Sequence, residues 1–146
     1  MKNILLINGP NLNLIGKRET HIYGKISIND IKNECIEKGK ELNITIDFRQ
    51  TNSEGEIIDW IHEVDNNFDA LIINPAGYTH TSIAILDSLK VVKKPKIEIH
   101  LSNIYSREEY RKKSLTSEAM NGLICGFGKE GYILAILAIN KLIEEK

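Results

Sequence analysis

The sequence has no apolar run long enough to cross a bilayer, and its opening, MKNILLING, is too short for a secretory leader and reads as a β-strand. Nor is there an excess of either charge. Nineteen basic against 20 acidic residues give a formal net charge of −1. That argues against a general nucleic-acid or membrane surface and leaves room for a local basic pocket. Cysteine is scarce: Cys35 and Cys125 lie in apolar surroundings with no metal or redox spacing, and read as reduced core thiols of a cytoplasmic protein. Internal repeats, low-complexity tracts and linkers are missing too. What remains is a globular balance, 42% hydrophobic and 27% charged over 146 residues, enough for a single domain spanning 1–146.

Strand and helix signals alternate along the chain. Residues 3–8 form a first apolar strand, and 44–50 (ITIDFRQ) alternate as a second. The run DALIINP, 69–75, is continuously apolar, as in a strand covered on both faces. KIEIHLS, 96–102, is a fourth strand, and NGLICGFG carries a fifth into a glycine-rich bend. Between them, Ile28, Ile31, Cys35 and Leu42 share one helical face, opened by Ser27 and Asp30 as an N-cap with an acidic first turn, with Gly39 as fraying or C-cap. Ile57, Ile61, Val64 and Phe68 form a second stripe. Ile83, Leu86 and Leu89 form a third, capped by Thr79 or Thr81. The last helix, from about 129 to 144, is apolar on more than one face, so it is deeply buried or meets another subunit. This order predicts an α/β, flavodoxin-like three-layer sandwich: a five-stranded parallel sheet with helices on both faces.

Ligands of such sheets bind beyond the carboxyl ends of the strands. Asn8, Arg49, Gln50, Asn74, Tyr78, His80, His100, Ser102, Gly126 and Gly128 all fall at that rim. Residues 9–24, GPNLNLIGKRETHIYG, are long for a strand-to-helix connection and read as a lid with Gly9, Gly16 and Gly24 as hinge points. Glu98 and His100, two apart, share one face of the fourth strand. On a central strand this pair is a carboxylate orienting an imidazole for proton transfer; on an edge strand it is a solvated face. The basic run 107–113 reads as a solvated helix face from which Arg111 can reach inward. Four residues, His80, Glu98, His100 and Asp87, could be drawn as a metal site, but their spacing matches no ligand motif. A flavin or nucleotide binding module of the same fold is the alternative function class, although the first loop is Asn- and Leu-rich and does not open a helix directly.

Five segments in order, NGPNLNLIGKRETHIYG, QTNSEG, NPAGYTHTSIAILD, EIHLSNIYSREEYRKKS and GLICGFGKEGYILAI, resemble the type II 3-dehydroquinate dehydratases over nearly the whole chain. Thr20 stands where that family usually has proline, and Ser53 where it often has histidine. The resemblance implies a cofactor-free and metal-free hydro-lyase of the shikimate pathway, which leads to aromatic amino acids. Such an enzyme removes water from 3-dehydroquinate to give 3-dehydroshikimate. It implies Tyr23 as general base, His100 as general acid and Arg18 as the lid arginine stabilising the charged intermediate. Asn74, His80, Leu101, Ser102 and Arg111 become substrate contacts, Asn11 a residue near the enolate, and Glu98 the support of His100. Asp87 corresponds to a residue that approaches a neighbouring subunit's site. The implied assembly is a homododecamer, a tetramer of trimers, with no nucleic-acid or membrane partner.

Overall fold

The computed structural model describes residues 1–17 and 25–145. Strands β1 (Lys2–Asn8), β2 (Ile44–Gln50), β3 (Ala70–Asn74), β4 (Lys96–His100) and β5 (Gly122–Cys125) form one parallel sheet in the order β2-β1-β3-β4-β5. This is the expected flavodoxin-like order. Side chains alternate across the sheet. Ile4, Leu6 and Ile72 face one helical layer, α1 (Ile28–Glu41) and α5 (Glu130–Glu144), packing with Ile31, Cys35, Ile136 and Ile139. Leu5, Ile7, Leu71 and Ile73 face the other layer, α2 (Glu54–His62), α3 (Val64–Asn67) and α4 (Ile83–Val91), packing with Ile57, Ile61, Ile85 and Leu89. Each such buried aliphatic side chain contributes about 1.5–3 kcal/mol of transfer free energy.

Local chemistry explains where the elements begin. Ser27 and Asp30 cap α1 reciprocally, each side chain accepting from the other's backbone N–H. The cap of α4 is Ser82, not Thr79 or Thr81: its Oγ accepts from Ile85 N at 2.9 Å. Thr79 is fully buried and turned to β4 instead. The inward stripe of α4 is correspondingly Ile85, Leu86 and Leu89, while Ile83 is 63% exposed. At about 100° per residue, Ile83 lies across the helix from Ile85.

Two glycines serve close packing rather than hinging or capping. Gly39 lies inside α1, and a Cβ there would sit 2.6 Å from the Ile44 carbonyl oxygen. A Cβ on Gly9 would meet the Pro75 carbonyl oxygen at 2.5 Å, because Gly9 N donates to Asn74 O across the ends of β1 and β3. Of the two free thiols, Cys35 is a core residue whose pKa burial raises to about 12, whereas Cys125 is only half-buried on the edge strand β5. The last helix buries Tyr132, Ala135, Ile136 and Ile139 and leaves Leu134 and Leu137 exposed. Among the described residues, no helix is long and apolar enough to cross a membrane.

Candidate active site

Beyond the carboxyl ends of β1, β3 and β4 the chain surrounds a cleft. Asn11, Asn74, His80, His100, Leu101, Ser102 and Arg111, all singled out in the sequence, line it together. Arg18 and Tyr23 lie outside the described residues. Asp87 is exposed on α4 and does not line this cleft. Arg49 turns away from it: its guanidinium bridges Asp47 and Glu63 and lies over the Trp60 and Phe68 rings. Asn8 is wholly buried and structural, accepting from the Tyr132 hydroxyl and donating to Arg49 O. Ser53 caps α2 through Glu56 N.

The edge-strand reading of Glu98 and His100 does not hold. β4 lies between β3 and β5, with Glu98 fully buried and His100 6% exposed. A buried carboxylate needs donors. His100 Nε2 lies 2.6 Å from Glu98 Oε2, and a ring nitrogen facing a carboxylate must donate, which leaves Nδ1 as the nitrogen free for the cleft. The hydroxyls of Thr79 and Ser114 reach the same Oε2 at 2.8 and 3.1 Å, and Thr116 donates to Oε1. Burial pushes the Glu98 carboxyl up. The His100 hydrogen bond and charge, with the Thr116 and Thr79 hydroxyls, outweigh it and hold the carboxyl below its ordinary value of 4.5. Glu98 is therefore an ionised support, loaded with donors.

A carboxyl whose native pKa is depressed stabilises the fold fully above its unfolded pKa, and this contribution disappears as pH falls through the native value. Glu98→Gln should thus be less stable at neutral pH by on the order of 3 kcal/mol. Its disadvantage should shrink as pH drops below about 4.5. Thermal midpoints of both proteins across that range check this; a constant difference at every pH would contradict it.

The remaining walls supply donors. His80 Nδ1 donates to Lys113 O at 2.7 Å, a carbonyl that can only accept, so its Nε2 is left toward the cleft. Asn74 is fixed at both amide atoms: Oδ1 accepts from Ala76 N and Nδ2 donates to the Tyr132 hydroxyl, leaving one N–H. The segment Leu101–Ser102 is pinned by the glycine bend, with Gly126 N on His100 O and Gly128 N on Leu101 O. Arg111 is steered by Glu108 and by the Tyr110 ring. Arg107, assigned by sequence to a solvated helix face, also lines the cleft, and its Nη1 lies 3.5 Å from Ser102 Oγ. The basic run is not one helix: Ile104–Ser106 and Glu109–Arg111 are separate 3₁₀ turns. A cleft with two guanidinium groups and two imidazoles suits an anionic, oxygen-rich ligand.

A family model described as dehydroquinase class II matches residues 2–140. The chain belongs to this family. It is 54% identical to the 3-dehydroquinate dehydratase of Clostridium botulinum, with 100% of both chains covered. To 3-dehydroquinate dehydratase 1 of Agrobacterium fabrum it is 47% identical over 97% of this chain and 99% of that one. The crystal structure of type II dehydroquinase from Butyrivibrio crossotus matches with a TM-score of 0.93 at 47% identity, covering 95% of this chain and 97% of that chain. Membership in the class II dehydroquinases leaves the flavin or nucleotide module without support. The first loop agrees as far as it is described: β1 is followed by the 3₁₀ turn Leu12–Leu14, and among the described residues 9–17 no α-helix N-terminus stands ready to cradle a phosphate. The drawn metal set does not assemble either. Glu98 and His100 bind each other, Asp87 is elsewhere, and among the described residues no group of three or more such side chains gathers.

Proposed function

We propose that this chain dehydrates 3-dehydroquinate to 3-dehydroshikimate by anti elimination through an enolate, with protein side chains as base and acid. The observation that carries the reading is the Glu98–His100 pair, buried on a central strand and directed to a cleft of donors. The substrate has an acidic C–H beside a ketone and a hydroxyl one carbon further on. Tyr23 removes the proton. Free tyrosine has a pKa of about 10, and the permanent charge of Arg18 favours the tyrosinate needed at neutral pH. The electron pair moves to the ketone oxygen, where Asn11, acting through an ordered water, stabilises the enolate. When the enolate collapses, the C–O bond breaks and His100 gives the departing hydroxyl a proton, so that water leaves. Glu98 holds the ring by Nε2, so that Nδ1 is the nitrogen turned to the leaving hydroxyl. Ser102 and Asn74 hold the substrate carboxylate, and His80 and Arg111 hold its ring hydroxyls.

The assembly belongs to the same proposal. Asp87 sits on an exposed face of α4 together with Ile83 and Val91, which are 63% and 72% exposed. A side chain outside its own cleft can complete a neighbour's, so trimers exchanging Asp87, four to a dodecamer, form the working unit in the cytoplasm. The test of function is purified protein with 3-dehydroquinate: absorbance of a double bond conjugated with the ketone should grow. A protein that binds a flavin or nucleotide tightly and leaves 3-dehydroquinate unchanged would refute it.

A further inference from the structure

Asn11 is an N-cap residue that does not cap. It has the left-handed φ of 69° at the start of the Leu12–Leu14 turn, with no side-chain hydrogen bond to that turn, and its residue lines the cleft. Asparagine tolerates this backbone region better than most residues, yet the conformation still has to be held. The holding group comes from the end of the neighbouring edge strand, β2. Asn52, just beyond β2, accepts Asn11 N at 3.0 Å on its Oδ1. The same Oδ1 accepts Gln50 Nε2 at 3.2 Å, and Gln50 also donates to Gly9 O at 3.1 Å. The Asn52 backbone carbonyl accepts the Tyr78 hydroxyl at 2.9 Å. The exposed Asn52 side chain thereby ties the ends of β1 and β2 at the root of the first loop, while its backbone carbonyl anchors the segment after β3.

We infer that Asn52 is a positioning residue: it sets where Asn11 stands against the reacting centre, without touching substrate itself. This rests on the reading of Asn11 as a group acting on the enolate. Removing the Oδ1 acceptor frees the Asn11 backbone, and a displacement of about 1 Å at such a group can cost up to ~10²-fold in rate. The effect falls on kcat more than on KM, because the groups assigned to substrate binding are held by other bonds. Asn52→Asp keeps both acceptor positions, so it retains the tie.

The test is a double-mutant cycle with kcat, KM and amide exchange measured on each protein. Asn52→Leu should lower kcat by about 10- to 100-fold with a smaller change in KM. Exchange at Asn11 should quicken, and Asn52→Asp should recover most of kcat. In an Asn11→Ala background, Asn52→Leu should cost nothing further. The inference is overturned if Asn52→Leu turns over normally, if its loss persists undiminished in the Asn11→Ala background, or if Asn52→Asp is as slow as Asn52→Leu. Should Asn52→Leu not fold, Asn52→Ala carries the same cycle. An Asn11→Ala protein with full kcat would instead sink the reading of Asn11, and the inference with it; a slow Asn11→Ala beside a normal Asn52→Leu sinks the inference alone.

Discussion

His100→Ala should lose water elimination by about 10²–10⁴-fold, the contribution typical of a positioned acid, while the proton beside the ketone continues to exchange with solvent. The separation follows from the site. His100 is held through Nε2 on Glu98, so its reach into the cleft is through Nδ1, and the proposed mechanism gives it one task, protonation of the leaving hydroxyl. Without it, the enolate forms and returns. Deuterium uptake into recovered substrate, followed beside product formation, checks this. If exchange falls while elimination survives, the roles of His100 and Tyr23 must be interchanged. The variant takes one donor from the Glu98 carboxylate but leaves Thr79, Ser114 and Thr116 on it, whereas loss of Glu98 would take the acceptor from all three hydroxyls.

Tyr23→Phe should abolish both events together, lowering turnover by about 10²–10⁴-fold and removing proton exchange, with substrate binding nearly intact. The change deletes one ionisable oxygen and keeps the ring. Arg18→Ala should be nearly as slow, and Arg18→Lys should recover only part, because an ammonium lacks the planar fork. Tyr23→Phe also reports on assembly. In the proposed trimer, co-expression with an Asp87→Ala chain gives some clefts an intact Tyr23 and a borrowed Asp87, so activity should partly return. Verified mixed trimers without recovery would show that Asp87 does not serve a neighbour.

The strands and their order were legible because aliphatic runs, two-residue alternation and helical stripes are local patterns. The sharpest site signal, Glu98 and His100 on one strand face, was local as well. What could not be read was what surrounds it. Thr79, Ser114 and Thr116 lie 16 to 19 residues from Glu98, and only the fold brings their hydroxyls to its carboxylate. The one available hint was that a buried carboxylate must find donors. Arg107 was hidden for another reason: a run of charges looks like a solvated helix, but two 3₁₀ turns bring it and Arg111 to the same cleft. Ile83 looked inward by spacing and is not, because Ser82 sets the helix start and the packed face centres on Ile85 and Leu89. Gln50 was placed at the rim by its strand, whereas the bonds it makes with Asn52 to the first loop required the tertiary structure.

The central claim is that acid–base side chains, through an enolate, carry the dehydration. The competing chemistry for the same reaction is a lysine imine with the substrate ketone, which borohydride reduces to a permanent adduct. The most direct measurement is turnover of 3-dehydroquinate in the presence of borohydride, with the mass of the protein recorded afterwards. The account predicts an undiminished fraction of active enzyme and an unmodified mass. Progressive loss of activity with an added substrate mass on a lysine would contradict it.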